Sequence, residues 1–122
     1  MKLKRLTAAP ALALALAACG ATPPQAPSKQ AMKLSVATSG ISTTCGLTYE
    51  ATAFPGDHKA ELAVLEKKVA PNVEKLASVY ARNPAWIYQG ETVGQIVVDS
   101  LSMLHSCGLT RAERTLLRAT SH

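Results

Sequence analysis

The stretch Asp57–Arg82, DHKAELAVLEKKVAPNVEKLASVYAR, decides the fold. Leu62, Leu65, Val69, Val73, Leu76 and Tyr80 recur every three or four residues, which places them in one apolar stripe along a helix. Lys59, Glu66, Lys67, Lys68, Glu74 and Lys75 mostly occupy the other side. Asp57 is suited to cap the amino end, and Asn83-Pro84 stops the helix. Pro71 lies inside the pattern. It lacks a backbone donor and crowds the preceding turn, so a kink or a break is expected there.

Working outward, Thr92–Gly108, TVGQIVVDSLSMLHSCG, reads as a second main helix. Thr92 with Gln95 three residues on forms a capping box. Val93, Ile96, Val97, Leu101 and Leu104 form its apolar face, while Val98 and Met103 fall off that stripe and suggest burial on a second side. Gly108 stands where a left-handed carboxyl cap belongs. Thr110 and Glu113 form another capping box, opening a short helix over 111–119 with Leu116 and Leu117 turned inward. Between the two main helices, Trp86-Ile87-Tyr88 forms either a lid folded onto a small core or an aromatic anchor for a partner.

The segment before Asp57 is ambiguous. Met32, Leu34 and Val36 alternate with Lys33 and Ser35, which suits a short strand. Ser39, Gly40, Ser42, Thr43 and Thr44 read as loop, and Leu47–Phe54 suits a short helix or a strand, closed by Pro55-Gly56-Asp57. The expected architecture is all-α: two main antiparallel helices with short helices beside them, over 31–122.

The first twenty residues have a different character. Lys2, Lys4 and Arg5 are followed by a short apolar run over 6–15, then by small residues and a cysteine. This is a secretory signal pattern, too short to span a bilayer as a helix. Leu16-Ala17-Ala18-Cys19 resembles the lipobox of bacterial lipoproteins. The resemblance implies cleavage of residues 1–18, a diacylglycerol on the Cys19 thiol, and palmitate-type chains that hold the mature protein to the membrane. The plain alternative is an ordinary signal cut without a lipid. In that family the residue after the cysteine influences sorting. Gly20 in place of aspartate implies the outer membrane, facing the periplasm, if the host has two membranes. Residues 19–30, rich in proline and small polar residues, read as a flexible tether.

Three of the 13 basic residues lie in the signal segment, leaving 10 against 8 acidic ones in the mature chain. That balance is no footprint for nucleic acid, and none is expected as a partner. Cys45 and Cys107 remain after Cys19, and an even pair in an exported chain reads as a disulfide. A redox pair would favour the Cys-x-x-Cys spacing, which is absent. Such a staple suits a domain of roughly 80 to 90 residues, whose core is marginal.

Chemistry is sparsely signalled. His58, His105 and His122 are the only histidines. His105 with Cys107 supplies at most two of the three or four ligands zinc needs, so no metal and no cofactor is expected. Ser102 lies three residues before His105, and Asp57 adjoins His58, but no nucleophile elbow or phosphate loop accompanies them. The sequence therefore points to a non-enzymatic envelope lipoprotein that binds another protein at the membrane surface. The alternative is a small-ligand carrier with an apolar pocket between the main helices, covered by the Trp86 segment and its Tyr88.

Overall fold

The computed structural model describes residues 23–121; the segment read as a signal, Cys19 and His122 lie outside them. Four helices and one small hairpin follow in order: α1 (Ser28–Ala51), α2 (Lys59–Arg82), β1 (Ile87–Tyr88), β2 (Glu91–Thr92), α3 (Val93–Cys107) and α4 (Thr110–Thr120). The architecture is the expected all-α one, with two long antiparallel helices and a Cys45–Cys107 disulfide. The identity of the second long helix differs. The main partner of α2 is α1, which runs through the residues read as strand and loop.

The cause lies in the composition of α1. From Ser35 to Tyr49 it contains no charge, and its outward positions carry Ser35, Val36, Ser39, Ser42, Thr43, Gly46 and Tyr49. With these uncharged residues outside and Leu34, Ala37, Ile41, Thr44, Cys45 and Thr48 inside, the two faces barely differ in hydropathy. The apparent alternation of Met32, Leu34 and Val36 resolves into one buried residue, Leu34, between two exposed ones. The buried Thr48 hydroxyl is satisfied within the helix: its Oγ1 donates to the Cys45 carbonyl at 2.7 Å. Such back-bonding allows threonine inside a helix at modest cost.

Gly40 sets how closely α1 and α2 approach. A Cβ there would collide with the Asn72 side chain. The core is formed by Val69, Val73, Leu76 and Val79 of α2 against Leu34, Ala37 and Ile41 of α1, with Val93, Ile96, Val97 and Leu104 of α3 closing it. Helix α2 passes unbroken through Pro71, so the break allowed by the sequence does not occur. Pro71 and Lys67 are both exposed, so water can satisfy the carbonyl that loses its donor.

Helix α3 begins as expected, with Thr92 Oγ1 accepting from Gln95 N at 3.0 Å. The reciprocal half of the box is missing, because the Gln95 amide donates to Asp99 at 3.0 Å. Gly108, at φ 87°, ends the helix in the left-handed cap, a conformation costly for any residue with a Cβ. Val98 and Met103 are exposed, so α3 is not buried on a second side. On α4, Leu116 is fully buried but Leu117 is half exposed, correcting the inward placement of both. The Thr110 capping box does not form either: the cap position is Leu109, whose own side chain accepts no hydrogen bond.

Candidate functional site

The hairpin and the helices beside it build one candidate binding surface. Ile87 pairs with Thr92 and Tyr88 with Glu91. Gln89 (φ 50°) and Gly90 (φ 84°) are both left-handed, which is the two-residue turn whose twist matches a hairpin. The segment is tied down on three sides. Val93 N donates to the Trp86 carbonyl at 2.9 Å, and Ala85 N donates to Asn83 Oδ1 at 2.9 Å. On the outer edge, Gln25 bridges Ile87 in parallel: Ala26 N donates to the Ile87 carbonyl at 2.8 Å and Ile87 N to the Pro24 carbonyl at 3.0 Å. The residues from Pro24 on, expected as tether, are therefore part of the domain.

A groove of about 280 Å³ opens beside this hairpin. Ile41 and Thr38 of α1 and Ile96, Ser100 and Met103 of α3 form its floor and one side. Tyr88, Gln89 and Glu91 form the hairpin wall, and Asp99 stands at the rim. Ser100 is buried, and Ile41 and Ile96 are core residues. The chemistry offered is an apolar floor, two hydroxyls, a phenol, an amide and two carboxylates. The groove lies between α1 and α3, and its wall is Tyr88. It differs from the pocket expected between the Asp57–Arg82 and Thr92–Gly108 helices under Trp86. Trp86 packs, half-buried, against the core.

The disulfide holds the two sides of the groove together. Cys45 of α1 and Cys107 of α3 are both buried, with Cα atoms 5.4 Å apart. The Cys45 sulfur also lies 3.6 Å from the Met103 carbonyl, one turn back along the helix that lines the groove.

The residues considered for catalysis are not brought together. His58 sits at the α1–α2 corner, with Nδ1 2.9 Å from Glu61 Oε1 and Nε2 2.6 Å from the Phe54 carbonyl. The hydrogen bond to Glu61, and after it the one to Phe54, raises the His58 pKa above its ordinary value. Asp57 makes no hydrogen bond to His58; its Oδ1 accepts from Lys59 N at 3.0 Å, and the cap position of α2 is His58, not the expected Asp57. His105, at the end of α3, pairs with Glu113 of α4 at 3.2 Å and not with Ser102. Among the described residues no three or more histidine, cysteine or carboxylate side chains cluster as a metal site.

Sequence reading missed Thr38, Ile41, Gln89, Glu91, Asp99 and Met103 as neighbours around one opening. The available signal was Gln89-Gly90 between Ile87-Tyr88 and Glu91-Thr92, a short hairpin pattern. No family model, characterised protein or solved structure matches the chain.

Proposed function

We propose that this chain is a bacterial envelope lipoprotein, held at the membrane by a lipid on Cys19 and working without catalysis by binding another envelope protein. The run from Lys2 to Cys19 carries the reading. A basic start, a short apolar stretch, a small-residue box and a cysteine meet four separate requirements of lipoprotein export at once. The Cys45–Cys107 disulfide is in keeping with an oxidising compartment outside the cytosol. In a two-membrane host, Gly20 in place of aspartate favours the outer membrane, facing the periplasm.

The groove beside Tyr88 is the surface we assign to the partner. It combines an apolar floor with carboxylates at the rim, as small interfaces do. Two measurements test the reading. Intact mass of the chain taken from membranes should show two or three acyl chains on a protein beginning at Cys19; an unmodified soluble chain sinks the anchor. A photo-crosslinking residue at Gln89, exposed on the groove wall, should then trap one protein band at native abundance.

A second reading rests on the apolar floor of the groove at Ile41 and Ile96: it would hold a small apolar ligand. In that case Ile96 and Met103 methyl resonances shift on adding envelope lipids, and no protein band forms at Gln89. Unmoved methyl resonances across lipids and peptides remove this alternative.

A further inference from the structure

The length of chain between the anchor and the domain is short. Residues read as tether run to position 30, yet Pro24 accepts a hydrogen bond from Ile87 N, and α1 begins at Ser28. Only the steps from Cys19 to Pro24 remain to span the gap. Five residues reach at most about 18 Å when fully extended. Helix α1 alone, at 24 residues, is about 36 Å long. A leash half as long as the bundle cannot hold the domain well away from the surface. It also leaves the domain from one end, the end that carries the hairpin.

That end has the surface to meet a headgroup layer. Pro84 and Ala85 are exposed, Trp86 is half-buried among them, and Met32 in the second turn of α1 is 69 % exposed. Its charge is a small positive excess: Lys29, Lys33 and Arg82 stand against Glu91, and the first turn of α3 has none. Tryptophan with small and apolar neighbours suits the water–bilayer boundary. The opposite end, at the α1–α2 corner, shows Phe54, 75 % exposed, at the far limit of α1.

We infer that the hairpin end of the bundle, with Trp86 and the start of α1, rests on the bilayer surface that holds the lipid of Cys19, while the Phe54 corner projects away from it. This rests on the lipoprotein reading above. The groove walled by Tyr88 and Gln89 then opens close to the membrane, where a membrane-embedded partner can reach it. On a zwitterionic bilayer the small positive excess finds no net opposite charge, so the contact is set by the leash and the apolar surface and is insensitive to salt.

The test uses the full-length chain isolated from membranes, checked by intact mass, and placed in phosphatidylcholine nanodiscs that contain headgroup-nitroxide lipid. Trp86 is the single tryptophan and reports the hairpin end directly. Its emission should lose most of its intensity relative to nitroxide-free discs, at low and high salt alike. In Phe54→Trp, which keeps Trp86, the emission added by the new indole should survive. A lipidated chain whose Trp86 is unquenched, or whose two indoles are quenched equally, overturns the orientation and leaves the anchor standing. A mass without acyl chains overturns the anchor itself, and the orientation with it.

Discussion

Glu66, in the middle of α2, caps the amino end of α4: its Oε1 accepts from Ala112 N at 2.9 Å and its Oε2 from Arg111 N at 2.9 Å. A helix start needs its free N–H groups satisfied. Here the carboxylate comes from 45 residues upstream, and Glu113, which the local pattern assigned to this work, turns instead to His105. Glu66→Ala should destabilise the domain by about 1–2 kcal/mol, the usual cost of a lost charged cap. Glu113→Ala should cost well under that. Chemical denaturation of both variants decides, and equal losses would contradict the assignment.

Cys45 and Cys107 close a loop with a sequence separation of 62. Restricting the unfolded chain over such a loop is worth up to about 4 kcal/mol on the chain-entropy model. The double variant Cys45→Ala with Cys107→Ala should therefore melt roughly 15–25 °C lower, taking the usual scaling for a domain under 100 residues. Adding reductant should lower the melting temperature of the parent by a similar amount and leave the variant unchanged. Identical melting of parent and variant would show that α1 and α3 hold together without the bridge.

Gly40 of α1 lies close against the Asn72 side chain of α2, where a Cβ has no room. Alanine is the better helix former, by about 1 kcal/mol over glycine, so propensity alone argues that Gly40→Ala stabilises. The clash reverses the sign: we expect a net loss on the order of 1 kcal/mol from overpacking. Adding Asn72→Ala should recover most of it, and the non-additivity of the double-mutant cycle measures the contact. A stabilised single variant would mean that Asn72 swings aside freely.

His58 provides a pH-dependent prediction. Its raised pKa, caused first by the hydrogen bond to Glu61 and then by the Phe54 carbonyl, means that the folded state favours the protonated ring. That contribution to stability is fully present below the unfolded pKa of about 6.5 and fades as pH rises through the higher folded value. Titration followed by NMR should place the folded pKa above that of an unfolded peptide, and Glu61→Gln should bring it down. An unchanged value in Glu61→Gln would remove Glu61 as the main cause.

Helix α2 was legible because its charged residues and its apolar stripe separate cleanly along 3.6-residue turns. Helix α3 was legible for a similar reason, helped by Thr92 at one end and Gly108 at the other, both of which act through contacts within a few residues. Two cysteines in a chain read as exported were enough to expect the bridge. Helix α1 was not legible. Its serines, threonines and glycines have weak helical preference, and its buried Thr44 and Thr48 look polar in any hydropathy pattern while being fully inside.

By itself, then, the sequence determined the local things: where α2, α3 and α4 lie, and that Thr92 and Gly108 bound α3. These depend on neighbours within one or two turns, so their signal is contained in short windows. Tertiary structure alone decided that Ser28–Ala51 is a helix, since burial against α2 outweighs its weak propensity. It also decided that Glu66 caps α4, that Pro24 and Ala26 join the hairpin, and that Thr38, Tyr88 and Asp99 surround one groove. Each of these joins residues tens of positions apart, and only the packed chain sets which of many such pairs meet.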